Sequence, residues 1–132
     1  MCRTLAILLL VFAVAATGTE HVVPLIAHDL PNVPGKRLTA VVVEYSPGAK
    51  SEAHRHAGSA FIFAYVLEGA VRSQLEGEAA PRVYKTGESW FEAPGAHHIV
   101  SENASADATA RLLAVFIVAP GERLTTPDPK EK

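Results

Sequence analysis

The feature that most constrains the fold is a series of short apolar segments, each closed by a turn signal. Segments 39–45, 61–67 and 111–119 are rich in valine, isoleucine, leucine and phenylalanine, and they run into Ser-Pro-Gly, Glu-Gly and Pro-Gly respectively. β-branched and aromatic residues favour strands, whereas glycine and proline favour turns. Outside the first sixteen residues, no stretch keeps the 3.6-residue apolar period of a helix. The pattern predicts an all-β protein built as an antiparallel sandwich or barrel.

The first sixteen residues differ from the rest of the chain. Arg3 precedes an apolar run from Leu5 to Ala16 that ends in small residues. The run is shorter than the about 20 residues needed to cross a bilayer, and its basic start and small-residue end are those of a signal peptide. We expect residues 1–16 to be removed on export to the periplasm or the cell exterior, with no stable membrane insertion afterwards. Cys2 would be removed with them.

The remaining chain has room for one domain. Residues 17–38 predict an N-terminal arm with an edge strand, because Pro24 interrupts the strand pattern there. Residues 39–119 contain the recurring strands of the barrel. Residues 120–132 are polar and broken by prolines, a composition typical of a flexible C-terminal tail.

Composition excludes several classes of function. The net charge is −2 and no basic cluster occurs, which argues against a nucleic-acid partner. Without cysteine in the mature part, disulfides and thiolate ligands are absent, so any metal is held by nitrogen and oxygen. The sequence also contains no phosphate-binding glycine loop and no nucleophile elbow.

The segment 61–67 is apolar at odd and even positions alike. A strand with this pattern is buried on both faces, so one face meets the barrel interior and the other meets a second sheet or another subunit. We therefore expect a homodimer.

Histidines supply the strongest functional signal. His54 and His56 are separated by one residue, and in extended chain such side chains share a face about 6.6 Å apart, close enough to reach one metal ion. A second pair, His97 and His98, follows Pro94-Gly95. Adjacent strand residues point to opposite faces, so only one of this pair is expected to enter the barrel.

These residues fall in a recognisable order. The chain resembles the cupin superfamily over roughly residues 39–119, and the resemblance is carried by two motifs: Gly48, His54, His56 and Tyr65-Val66-Leu67-Glu68-Gly69, then Gly87, Pro94-Gly95 and His98. It implies a double-stranded β-helix, or jelly-roll barrel, with His54, His56 and His98 converging on one divalent metal. In the second motif the ligand lies three residues after the glycine, which selects His98 and leaves His97 as a rim or packing residue.

One family feature is missing. The first motif usually adds a glutamate ligand, whose position here falls at Phe61 or Ile62. Neither side chain can bind a metal, so a three-histidine site is expected. Loss of the carboxylate leaves more coordination positions for water, substrate or dioxygen.

Other side chains are candidates for an additional role. Glu52 shares a face with His54 if that segment is extended. Gln74 has an even number, like Ile62, Ala64 and Val66, whose side chains are expected to face the interior, so its side chain is expected to face inward as well. Glu52 and Gln74 are each either an extra ligand or a solvated residue. Glu92 is a candidate to orient a ligand histidine from behind. Tyr65 is a candidate proton donor, and Tyr65 or Glu52 could act as a base.

The favoured function is a dioxygenase-like, metal-dependent oxidoreductase acting on a small molecule, with iron preferred and zinc, manganese, nickel and copper left open. A metal-dependent isomerase or lyase is the first alternative. The second is a protein that binds a metal or small ligand without turning it over, because one fold hosts both classes.

Overall fold

The computed structural model describes residues 18–131, so the predicted signal peptide lies outside the described residues. Within this range the chain forms ten β-strands and no helix. Accordingly, residues 18–131 contain no helix capable of spanning a membrane. The strands are β1 Glu20–Asp29, β2 Arg37–Tyr45, β3 His54–His56, β4 Phe61–Glu68, β5 Ala70–Leu75, β6 Arg82–Lys85, β7 Ser89–Glu92, β8 His97–Asn103, β9 Ala110–Val118 and β10 Thr125–Pro127.

The strands build two five-stranded antiparallel sheets. The first has the order β1-β2-β9-β4-β7 and the second β10-β3-β8-β5-β6. Buried side chains from both sheets form shared clusters, such as Val66 of the first sheet with Val71 of the second. The core therefore lies between the sheets, and the predicted all-β jelly-roll fold is confirmed.

Strand alternation determines which side chains enter this core. In β4, Ile62, Ala64 and Val66 are buried, and the even-numbered residues 110–118 of β9 are buried beside them. Burying an isoleucine or valine side chain stabilises a fold by about 1.5–3 kcal/mol. The central pair of β4 and β9 thus supplies much of the wall around the interior.

The outer face of β4 is not covered by the described chain itself. Phe61, Phe63 and Leu67 are 43%, 41% and 37% exposed, and Phe91 of the neighbouring β7 is 64% exposed. Phe61 and Phe91 stack on each other across the two strands. Within the described chain no second sheet covers this face.

The C-terminal segment is not a free tail. β10 pairs with β3, placing Thr125 opposite His56 and Pro127 opposite His54. Asp128 extends this attachment, because its backbone N–H donates to the carbonyl of Ala53. The expectation of a flexible tail is therefore wrong for residues 125–128. Their polar, proline-containing sequence forms a short edge strand and its attachment to β3.

Gly69 changes the inward face between β4 and β5. Its φ is +69°, and a Cβ there would lie 2.5 Å from the carbonyl oxygen of Thr109. The turn interrupts strand alternation, so the buried positions are even in β4 but odd in β5, where Val71 and Ser73 face inward. The inward parity expected for Gln74 is consequently wrong.

Candidate metal centre

Three histidines meet on two adjacent strands of the second sheet. His54 and His56 lie on β3, and His98 of β8 lies directly opposite His54. Ring centroids are 4.8 Å apart for His54–His56, 5.2 Å for His54–His98 and 6.2 Å for His56–His98. One ring nitrogen from each residue lies within 4.8 Å of the others. The structure therefore brings together all three histidines expected at the site.

Backbone carbonyls set the tautomers of the two β3 histidines. His54 Nδ1 lies 2.8 Å from the carbonyl oxygen of Glu52, and His56 Nδ1 lies 2.9 Å from that of Leu124. A carbonyl can only accept a hydrogen bond, so each Nδ1 carries the hydrogen. In the neutral rings, the Nε2 atoms are left with free lone pairs, which is the form that binds metals.

His98 is held neutral by burial. It is 3% exposed, its Nε2 lies 2.8 Å from the hydroxyl of Ser73, and desolvation lowers its pKa to about 4. Burial also lowers the pKa of His54. Both rings are thus in the ligand-competent state at neutral pH. Sequence reasoning missed Ser73, whose inward direction depends on the turn at Gly69.

Glu92 completes the cluster from the facing sheet. It is 2% exposed; its Oε2 lies 2.9 Å from His56 Nε2, and its Oε1 lies 3.4 Å from His98 Nδ1. Trp90 donates its indole N–H to Oε1 at 3.0 Å. Burial raises the pKa of Glu92, but the two histidines outweigh burial and the net pKa is lowered. For His56, burial lowers the pKa, and the attraction of Glu92 reverses this to a net increase.

The donor set fits a divalent cation. Glu92 Oε2 is buried, and among the described residues no donor other than His56 Nε2 faces it. A carboxylate buried in an apolar interior is costly unless a positive charge compensates it. Three imidazoles and one carboxylate oxygen suit iron, zinc, manganese, nickel and copper.

A cavity of about 160 Å³ adjoins the three histidines. Its walls come from the inner faces of β2, β4 and β9 and are mostly apolar, including Val41, Val43, Ile62, Leu112 and Phe116. The exposed residues Glu20 and Thr125 also line it. The cluster therefore faces an apolar chamber between the two sheets.

Tyr45 of β2 is, with Glu92, a buried polar group on the chamber wall that the first sheet forms. Its hydroxyl hydrogen-bonds with Ser51 at 2.7 Å and Ser101 at 2.9 Å, and burial raises its pKa to about 12. The sequence analysis did not nominate Tyr45. The alternation of β2 could have indicated it, because Val41, Val43 and Tyr45 share one face.

Three other candidates lie away from the chamber. The Glu52 side chain is exposed near Lys130 Nζ at 3.7 Å, although its backbone carbonyl holds His54. Gln74 faces outward and donates to the carbonyl of Glu78 at 3.0 Å. Tyr65 lies on the outer face of β4 beside Phe63. None of these three side chains lines the cavity.

His97 faces the opposite side of β8 from His98. Its Nε2 lies 2.7 Å from Asp128 Oδ2, and its Nδ1 lies 3.4 Å from Glu76 Oε1. It therefore anchors the C-terminal strand from outside the metal cluster.

Known structures share this architecture. The chain is similar to TT1209 from Thermus thermophilus at 25% identity, covering 76% of this chain and 85% of that one with a TM-score of 0.60. It is similar to the DMSP lyase DddQ from Ruegeria pomeroyi at 23% identity, covering 68% of this chain and 42% of that one, TM-score 0.57. A predicted oxalate decarboxylase from Thermotoga maritima shares 21% identity, covering 74% of this chain and 93% of that one, TM-score 0.52.

The last two likenesses, at identities below 25%, concern the fold alone. No curated protein matches the chain in sequence. The family model described as Cupin domain matches residues 41–116, more than half of the chain, and this range contains all three clustered histidines. The chain belongs to the cupin family.

Proposed function

We propose that this cupin is a metal-dependent, dioxygenase-like oxidoreductase acting on a small and largely apolar molecule. The observation that carries the proposal is the cluster of His54, His56 and His98 at the wall of the apolar chamber. A cavity of about 150 Å³ with apolar walls accommodates a benzene molecule. A chamber of about 160 Å³ therefore favours a substrate near that size.

The ionisable groups on the chamber wall favour oxygen chemistry over proton transfer. Tyr45, with a pKa of about 12, keeps its proton and can donate a hydrogen bond but cannot act as a base at neutral pH. Glu92 is in contact with two histidines, and Glu20 lies exposed on β1. Isomerase or lyase chemistry needs a positioned acid or base that is free to move a proton.

Each part of the site has a role in this proposal. Neutral imidazoles of His54, His56 and His98 hold the ion, with Nδ1 of the first two fixed by backbone carbonyls. When bound, iron(II) supplies a centre at which dioxygen and a substrate can meet. The apolar residues of β2, β4 and β9 exclude water from the chamber and orient an apolar substrate.

Iron loading and dioxygen uptake test this function. Tag-free protein is loaded anaerobically with iron(II), exposed to nitric oxide as a dioxygen surrogate, and examined by electron paramagnetic resonance. We expect the signal of a high-spin iron-nitrosyl species, which is lost in His98→Ala, and dioxygen consumption with at least one small aromatic chelator such as catechol. Tight iron binding without any nitrosyl signal would instead favour a binding protein.

We also propose that the mature protein is exported. This proposal rests on Arg3 and the apolar run from Leu5 to Ala16. Gly18 supports it, since a Cβ there would lie 2.5 Å from the backbone nitrogen of Ala49, so the packed domain begins directly after the expected cleavage region. N-terminal sequencing of the protein from a periplasmic or culture fraction tests it, with a start near residue 17 expected and an intact Met1 contradicting it.

A homodimer through the outer face of β4 and β7 is the third part of the proposal. Phe61, Phe63 and Phe91 form an exposed apolar surface on a central strand and its edge neighbour. Contiguous apolar surfaces of this kind are typical of protein interfaces. A second copy with the same patch is the partner proposed, because a two-fold interface pairs a surface with itself.

A further inference from the structure

We infer that Glu92 is a direct metal ligand, supplied by β7 in place of the glutamate missing from the first motif on β4. The inference rests on the proposed metal-binding function and names a fourth donor for the same ion. The carrying observation is the position of the Glu92 carboxylate against two of the histidine rings.

Strand register explains how the carboxylate can move to another strand. Ile62, one of the two positions at which the sequence motif lacks its glutamate, lies directly opposite Glu92 in the antiparallel pair of β4 and β7. Opposite residues in such a pair project from the same face of the sheet. Ile62 and Glu92 are both buried, and both line the chamber.

The short contact between His56 and Glu92 indicates a shared cation, which is a proton on His56 Nε2 when no metal is bound and the metal ion when His56 is a ligand. With its hydrogen on Nδ1, neutral His56 presents a lone pair at Nε2, and Glu92 presents a carboxylate oxygen 2.9 Å away. Two lone pairs at this distance repel each other unless a positive charge lies between or beside them. Metal–nitrogen and metal–oxygen bonds are about 2.0–2.2 Å long, so two atoms that hold one ion can lie about 3 Å apart. His56 Nε2 and Glu92 Oε2 are close enough that both would reach one ion.

The two oxygens of Glu92 have different surroundings. Oε1 accepts the indole N–H of Trp90, which fixes the carboxylate, whereas Oε2 is buried and, among the described residues, faces no donor other than His56 Nε2. Ligand carboxylates are commonly oriented by a hydrogen bond to the oxygen that faces away from the metal. Trp90 is itself packed against Tyr84, with ring centroids 4.4 Å apart.

The competing interpretation places Glu92 behind the ligands, as a hydrogen-bond acceptor that orients a histidine. In that arrangement the second nitrogen of a ligand ring donates to the carboxylate. The second nitrogen of His56 already donates to Leu124, and the nitrogen facing Glu92 is the one with the free lone pair. When His56 is a neutral ligand, its tautomer therefore favours direct ligation by Glu92.

Infrared difference spectroscopy on full mature protein distinguishes the two roles. Metal-free protein is titrated with zinc, and binding is followed by competition with a chromophoric chelator. Loss of a residue that only hydrogen-bonds to a metal ligand also lowers metal affinity, by about 10–100-fold. Affinity alone therefore does not distinguish a direct ligand from an orienting residue. The deciding quantity is the frequency difference between the antisymmetric and symmetric stretching bands of a carboxylate. For a carboxylate that binds zinc, this difference departs from the value of a free ionic carboxylate.

We expect zinc to produce the shifted pair of carboxylate bands in wild type and in Glu52→Gln. In Glu92→Gln we expect the shifted bands to be absent and zinc binding to be at least tenfold weaker. Glu52→Gln is the matched control, because that acid lies two residues from His54 but directs its side chain toward Lys130. If Glu92→Gln fails to fold, ¹³C-glutamate is introduced into wild type and into Glu20→Gln, because Glu20 is the other glutamate that lines the chamber, and the isotope-shifted bands should persist in Glu20→Gln.

Zinc binding by wild type without any change in carboxylate separation would overturn the assignment of Glu92 while leaving the histidine site intact. Identical bands in wild type and Glu92→Gln would also overturn it. Failure of wild type to bind zinc or iron at all would contradict the metal-dependent function itself, so the two proposals fail by different results.

Discussion

Ile62 and Glu92 lie directly opposite each other, Ile62 on a strand that carries no acidic metal ligand and Glu92 on the neighbouring strand with a buried carboxylate. The carboxylate is 2.9 Å from His56 Nε2. The pair therefore places an apolar and an acidic residue at the same depth of the chamber, with the acidic residue on β7. The Glu92 carboxylate supplies the negative charge beside His56 and His98.

The metal-free protein should lose stability between about pH 6.5 and pH 4. Unfolded His98 takes up a proton near 6.5, whereas burial lowers the folded pKa to about 4, so acid favours the unfolded chain across this window. The expected loss from this residue is on the order of 3 kcal/mol. His54, also with a lowered pKa, adds in the same direction, while His56, with a raised pKa, opposes it.

Urea unfolding at a series of pH values in the presence of a chelator measures this effect. His98→Asn should flatten the dependence between pH 6.5 and 4, because the asparagine does not titrate. An equally steep pH dependence in His98→Asn would contradict the assignment of the effect to this residue.

Asn103 should be a structural residue in spite of its place in the glycosylation tripeptide Asn103-Ala104-Ser105. It is 5% exposed; its amide donates to the carbonyls of Ala108 at 2.7 Å and Ser46 at 3.1 Å, and its carbonyl accepts the backbone N–H of Ser105 at 2.9 Å. We expect Asn103→Ala to lower the free energy of unfolding by about 2–4 kcal/mol, because buried backbone groups lose their partners.

Chemical denaturation of Asn103→Ala checks this value, with Asn32→Ala as the control because Asn32 is exposed in the loop before β2. Equal stabilities for the two variants would show that the three hydrogen bonds contribute little.

The outer face of β4 should hold a dimer together. Phe63→Glu places a charge at the centre of the exposed apolar patch and should convert a dimer to a monomer, whereas Val83→Glu on the other sheet should not. The two positions are comparably exposed, at 41% and 40%. Sedimentation or light scattering measures the masses, and a monomeric wild type at high concentration would contradict the dimer.

Local sequence patterns were sufficient for the fold class and for the pairing of His54 with His56 on one face. The long strands β2, β4 and β9 carry β-branched residues between turn signals, and His54 and His56 share a face through alternation alone. The choice of His98 over His97 required the motif spacing, and the two histidines do lie on opposite sides of β8.

Features that depend on distant pairing could not be predicted in this way. Gln74 was assigned to the interior by continuing the parity of β4, but the positive φ of Gly69 restarts the alternation and Ser73 faces inward. β10 has three residues, one of them a proline, so it has no periodicity to detect, and its partner β3 lies about 70 residues earlier.

The pairing of Ile62 with Glu92 is likewise absent from any local pattern. Thirty residues separate them in the sequence. The register of β4 against β7 brings the carboxylate of Glu92 beside Ile62, one of the two β4 positions at which the motif expects a glutamate. Glu92 could be named from the sequence as a candidate, but its contact with His56 could not.

Elemental analysis by mass spectrometry tests the central claim most directly. Tag-free wild type is compared with the His54→Ala/His56→Ala double variant, with His98→Ala, and with His97→Ala as the neighbour that binds Asp128 on the other face of β8. We predict about one divalent metal ion per chain in wild type and His97→Ala, and almost none in the other two. Unchanged metal content in the double variant, or equal losses in His97→Ala and His98→Ala, would contradict the three-histidine site.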